Sequence, residues 1–81
     1  MNTLGQIEDW LLTRVAILTG TDIDAIDLDT PFSDYSLDSS AAVTLVQELC
    51  EVTGRDLSVT LFWEYPSIRL LASNLVAEAS V

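Results

Sequence analysis

The sequence predicts an all-α fold: a small bundle of three to four helices with a long loop between the first and second. Three observations carry this. Apolar residues recur at spacings of three and four in separate stretches, the period of a helix that buries one face. No stretch alternates apolar and polar residues as a half-buried strand does. Gly20 and Gly54 stand just past two of the periodic stretches, and Pro66 stands just before another, which is helical punctuation. With 81 residues, 49% of them hydrophobic, the chain reads as a single domain over residues 1–81 with a thin core.

The first helix is expected over about Thr3 to Thr19. Leu4, Ile7, Leu11, Val15 and Leu18 form its stripe, with Trp10 beside it. Thr3 and Gln6 have the spacing of a capping box, and Gly20 is a natural stop. The connection from Thr21 to Asp38 is long for a compact domain and therefore either functional or pinned down. Ile23, Ile26, Leu28 and Phe32 are the expected pins. Asp38 is placed to cap a second helix from Ser39 to Thr53, ended by Gly54. Its predicted stripe is Ala42, Leu45, Val46, Leu49 and Val52, with Thr44, Gln47, Glu48 and Glu51 on the other side. A short helical turn from Val59 to Glu64, capped by Ser58, precedes the break at Pro66. Ser67 then caps a last helix through about Ala79, with Ile68, Leu71, Leu75 and Val76 inward.

Charge narrows the function. Thirteen acids face three bases (Arg14, Arg55 and Arg69), for a net charge of −10. Phosphate backbones are repelled, so no nucleic acid is expected as partner, and an anionic membrane is disfavoured likewise. A protein with a basic patch is attracted. Cys50 is the only cysteine and histidine is absent, which removes an intramolecular disulfide, a multi-thiolate metal site, the commonest metal ligand and the usual general base. No signal peptide or membrane span is visible. A soluble, cytoplasmic monomer is the expectation.

Few side chains then remain as candidates for chemistry. Asp22, Asp24, Asp27 and Asp29 invite a calcium reading, but the EF-hand template needs glycine at its sixth position and glutamate at its twelfth. Counted from Asp22 these are Asp27 and Ser33, so a solvated acidic loop is expected and no metal site. Cys50 reads as a packing residue, and Trp63 and Tyr65, either side of Glu64, as packing rather than a binding surface. No catalytic residue is expected: Ser39 has no base to activate it. The residues alone leave two readings of Ser39 open. It is half of a capping pair with no further role, or it is a hydroxyl at a positive helix end suited to receive a phosphate-bearing group. Val43, four residues on, is either the edge of the core or an exposed apolar contact.

The string "DTPFSDYSLDSS", followed by "TG" at the helix end and then by "LSVTLFWEYPSIRLLASNL", resembles the acyl carrier proteins, in particular those of polyketide synthases. The resemblance spans nearly the whole chain. It rests on the Asp38-Ser39 pair at a helix start, on Trp63-Glu64-Tyr65-Pro66-Ser67 for the family's aromatic-acid-aromatic-Pro-Thr segment, and on Leu71-Ala72. It implies a non-catalytic carrier with a covalent 4′-phosphopantetheine arm on Ser39, preceded by Asp38, taken from coenzyme A by a phosphopantetheinyl transferase. It further implies acyl thioesters delivered to acyl-loading and ketosynthase-type enzymes with basic docking patches, in polyketide or fatty-acid-like biosynthesis. The docking face it suggests comprises Ser40, Val43, Thr44, Gln47 and Glu51. Two residues depart from the family pattern: Ser36 stands for a glycine before the aspartate, and Ser40 for a leucine after the serine. A peptidyl carrier domain of a nonribosomal peptide synthetase is the alternative within carriers, and Asp38 weighs against it. An acidic helical protein-interaction module is the alternative outside them.

Overall fold

Thr3 and Gln6 close the reciprocal pair that the sequence predicts: the Gln6 N–H donates to Thr3 Oγ1 (3.3 Å) and the Thr3 N–H donates to Gln6 Oε1 (3.4 Å). From that cap α1 runs over Leu4–Thr19 in the computed structural model, which describes residues 3–35 and 37–79. It is followed by two 3-10 turns, Ile23–Ala25 and Phe32–Tyr35, then α2 (Ser39–Thr53), α3 (Thr60–Glu64) and α4 (Ile68–Ala79). Among the described residues there is no strand, only an isolated antiparallel bridge between Pro31 and Ser67. The expectation of an all-α fold of three to four helices holds, with four α-helices among the described residues.

Gly20 and Gly54 end α1 and α2 with φ of 68° and 67°. This is left-handed backbone, which glycine adopts without the Cβ penalty other residues meet. The core is built from Ile7, Leu11 and Val15 of α1, Ala42, Leu45, Val46 and Leu49 of α2, Phe62 of α3, and Ile68, Leu71, Ala72 and Leu75 of α4. α1 packs chiefly on α4. Arg14 and Glu48 form a half-buried ion pair that joins α1 to α2.

Several expected core positions lie elsewhere. Leu4 and Val52 point in the direction of their stripes but occupy terminal turns, beyond the covered part of the bundle, and are exposed. Leu18 and Val76, also near helix ends, are half-buried. Ile23 is exposed; Ile26 and Phe32 pin the loop, with Leu28 partly buried. α3 starts one residue late. Val59 holds the cap position without a side-chain acceptor, and the Ser58 hydroxyl accepts instead from the Thr60 N–H at 3.3 Å. Ser67 does cap α4, accepting from the Leu70 N–H at 3.3 Å.

The long loop is stitched to the corner between α3 and α4. The Phe32 N–H donates to the Pro66 carbonyl (2.8 Å) and the Arg69 N–H to the Leu28 carbonyl (3.0 Å). Phe32 stacks on Phe62. Tyr35 closes the loop on itself: its hydroxyl accepts from the Asp27 N–H (2.8 Å) and donates to the Asp27 carbonyl (3.1 Å). The aspartates serve this geometry. Asp22 and Asp27 carboxylates accept from the N–H groups of Asp24 and Asp29, and Asp29 pairs with Arg69. The hydrogen bond that Arg69 Nε donates to Asp29, and then the Asp29 charge, raise the Arg69 pKa. Among the described residues no three Asp, Glu or Cys side chains gather as metal ligands. Cys50 is half-buried, its sulfur accepting from the Leu57 N–H (3.3 Å) and facing the Leu57 carbonyl at 3.5 Å.

Candidate functional site: the N-terminus of the second helix

α2 begins where a polar loop meets an apolar stripe, and its start is fixed from both sides. Asp38 has extended backbone (φ −87°, ψ −178°), and its Oδ1 accepts from the Ala41 N–H at 2.8 Å. The Ala42 N–H donates to the Asp38 carbonyl at 2.9 Å, the first bond of the helix. Leu37, immediately before the cap, is buried, as is Ala42 four positions into the helix. These are the two positions of a hydrophobic staple, and both belong to the one buried cluster. Leu37 is absent from the predicted core, although its place before an N-cap was the available signal.

Ser39 occupies the first helical position and is exposed. Together with Ser40, Val43 and Thr44 it lines a shallow, open depression of about 390 Å³. Val43 is 41% exposed and stands outside the buried core. Gln47 and Glu51, on the next turns, are exposed but lie outside the depression. Ser36 lies outside the described residues. The structure thus brings Ser39, Ser40, Val43 and Thr44 together at one helix end.

A helix N-terminus carries partial positive charge and N–H groups without intrahelical partners. Asp38 satisfies one of them. A primary hydroxyl at such a place can carry a phosphoester favourably, but the chain holds no histidine to deprotonate it. The arrangement suits a residue that is acted upon.

Trp63 departs from expectation. It is 58% exposed, not packed inside, and only Phe62 of the one-turn α3 is buried. Neighbouring residues on a helix diverge by about 100°, so a five-residue helix that buries Phe62 must turn Trp63 away. Its ring is held edge-on against Phe62, with centroids 5.2 Å apart and planes at 86°. Tyr65 is partly buried, in line with packing.

Comparison with known proteins gives consistent results. A family model described as a phosphopantetheine attachment site matches residues 9–75. A phenolphthiocerol/phthiocerol polyketide synthase protein of Mycobacterium tuberculosis is 37% identical over 71 residues, covering 88% of this chain. The chain spans only 4% of the length of that synthase protein. The acyl carrier protein TtuC of Teredinibacter turnerae is 34% identical over 76 residues, 94% of this chain and 87% of TtuC. Among solved structures, a free-standing peptidyl carrier protein from an uncharacterized secondary metabolic pathway of Acinetobacter baumannii superposes with a TM-score of 0.91. It is 33% identical and the match covers 98% of this chain and 99% of that one.

Proposed function

This chain belongs to the family of phosphopantetheine-attachment carrier domains, and from that premise we propose that Ser39 takes the arm and that residues 1–81 act as one acyl carrier unit in polyketide assembly. Carriers of this family are non-catalytic and bind 4′-phosphopantetheine covalently. The interaction-module reading is thereby set aside.

One observation carries the assignment to Ser39: an exposed hydroxyl on the first turn of a helix capped by Asp38, inside the matched segment. The donor set fits the arm. Ser39 offers the hydroxyl for the ester, the helix end favours the phosphodiester charge, and the nearest carboxylate, Asp38, is engaged by the Ala41 N–H. In the loading step Ser39 Oγ bonds to the β-phosphorus of coenzyme A, the pyrophosphate linkage breaks, and adenosine 3′,5′-bisphosphate leaves. The serine proton goes to a base of the phosphopantetheinyl transferase, which also holds the magnesium. Once attached, the arm supplies a terminal thiol that carries acyl groups as thioesters. The reliance on coenzyme A fits a cytoplasmic setting.

Ser40, Val43, Thr44, Gln47 and Glu51 supply the face read by acyl-loading and ketosynthase-type enzymes. What supports this is their shared exposure along α2 and the net charge of −10, which steers in basic surfaces. A second reading, a peptidyl carrier, is favoured by one observation, the Acinetobacter baumannii structure. Loaded protein offered malonyl-coenzyme A with a malonyl transacylase, or amino acids and ATP with adenylating enzymes, distinguishes the two by intact mass.

The test of Ser39 is intact mass after incubation with coenzyme A, magnesium and a broad-specificity transferase. Wild type gains the mass of one arm. Ser39→Ala gains nothing and keeps its helical circular dichroism. Modification that persists in Ser39→Ala overturns the assignment.

A further inference from the structure

Trp63 is the largest apolar side chain left on the surface among the described residues, and it is not loosely held. Its ring packs edge-on against Phe62, and Phe62 stacks on Phe32 with centroids 4.3 Å apart. Phe32 opens the 3-10 turn that leads to Leu37, Asp38 and Ser39, and its N–H is bonded to the Pro66 carbonyl just beyond α3. The indole therefore sits on a buried aromatic stack whose other half belongs to the segment approaching Ser39. A large aromatic ring fixed before binding loses little rotamer freedom on binding, which is the property of an interface anchor.

The charge around it indicates what covers it. Glu64 is its exposed neighbour. The arginines are committed elsewhere: Arg14 to Glu48, Arg69 to Asp29, and Arg55 Nη1 to the Leu75 carbonyl at 3.1 Å. A second copy of a chain with charge −10 is repelled, as is an anionic membrane. A protein socket that is apolar at its base and rimmed by arginine or lysine satisfies the indole, its π-face, the adjacent Glu64 and the net negative charge of the chain together.

We propose that Trp63 is the anchor by which the phosphopantetheinyl transferase grips the carrier, seated in an apolar socket rimmed by arginine or lysine. The proposal rests on the reading of Ser39 as the loading site. Later partners can hold the arm as well as the protein. The transferase meets the carrier before the arm is attached, so its grip must come from the protein surface alone.

The experiment uses the full chain and a broad-specificity transferase. Trp63→Ala should lower kcat/KM for loading about tenfold or more, chiefly through KM, as expected for an aromatic hot spot. The final mass gain on Ser39 should be unchanged, and Trp63→Phe should restore most of the rate. A folded Trp63→Ala loaded with wild-type kcat/KM overturns the anchor. Wild type that takes no arm at Ser39 instead overturns the reading beneath it, so the two failures are distinguishable. A second measurement leaves Trp63 intact: Trp10→Phe makes it the only tryptophan of the chain, excited at the red edge and titrated with transferase in the absence of coenzyme A, with the emission of the transferase alone subtracted. A blue shift with protection from acrylamide supports the anchor, and an unchanged spectrum overturns it. A shift with phosphatidylglycerol vesicles but not with transferase assigns Trp63 to a lipid surface and also overturns it.

Discussion

Phe32 and Phe62 lie face to face, 4.3 Å between ring centroids and 16° between planes, and both are almost wholly buried. One belongs to the long loop and the other to the one-turn α3, the two least regular parts of the fold. Neither segment is long enough to be stable by itself. Their mutual burial makes each a support for the other, and it fixes the approach to Ser39.

Phe62→Ala should therefore cost about 3–5 kcal/mol, the range for emptying a buried phenylalanine site. In a domain with total stability on the order of 5 kcal/mol, that leaves little folded protein. Urea unfolding followed by circular dichroism measures it. A loss under about 1 kcal/mol means the loop and α3 do not depend on the stack.

At Asp38 the cap can be separated from charge. Asp38→Ala should lower stability by about 0.5–2 kcal/mol, because the Ala41 N–H loses its acceptor. Asp38→Asn keeps an oxygen in place and should recover most of that in a thermal melt. Equal losses in both variants would show that charge at the helix end, not the hydrogen bond, is what matters.

Val43→Asp tests the α2 face. At 41% exposure the carboxylate stays hydrated, so stability should change by no more than about 0.5 kcal/mol. Acyl transfer to a partner enzyme should slow. Unfolding of the variant, or unimpaired transfer, removes Val43 from the docking face.

Arg69 and Asp29 tie α4 to the loop in the open, and the hydrogen bond donated to Asp29 raises the Arg69 pKa above an already strongly basic value. A raised folded pKa in a cation contributes stability that is fully present below the unfolded value and is lost as pH rises through the folded one. Its contribution is therefore flat from about pH 7 to 11, since arginine does not titrate there. Arg69→Gln should lower stability slightly and by the same amount across that window, and the difference should shrink in high salt. Melting curves of both proteins at several pH values check it.

Where one residue type decides a local outcome, the sequence sufficed. Asp38, Gly20, Gly54 and the Thr3/Gln6 pair act through their own backbone and side chain, so α1 and α2 begin and end where their spacing predicts. The position of Ser39 at the head of α2 was legible for the same reason. Burial is a property of neighbours, and here spacing misled. Leu4 and Val52 continue their stripes into turns that nothing covers, and Trp63 is turned outward because a single helical turn offers the core one good position, taken by Phe62. The pinning of the loop by backbone bonds from Phe32 to Pro66 and from Arg69 to Leu28 joins residues more than thirty positions apart, beyond the reach of any local pattern.

The packing of α1 against α4 also governs how the chain is made. Ile7, Leu11 and Val15 leave the ribosome well before Ile68, Leu71 and Leu75. Until α4 emerges, α1 lacks the chief cover for its apolar stripe. Contacts this distant in sequence form only after the intervening loop has closed, and partly synthesised chains with bare apolar faces are the species that aggregate. Nascent chains stalled before Ile68 should accordingly be bound by chaperones and cut readily by proteases, and release from both should coincide with synthesis of the last helix.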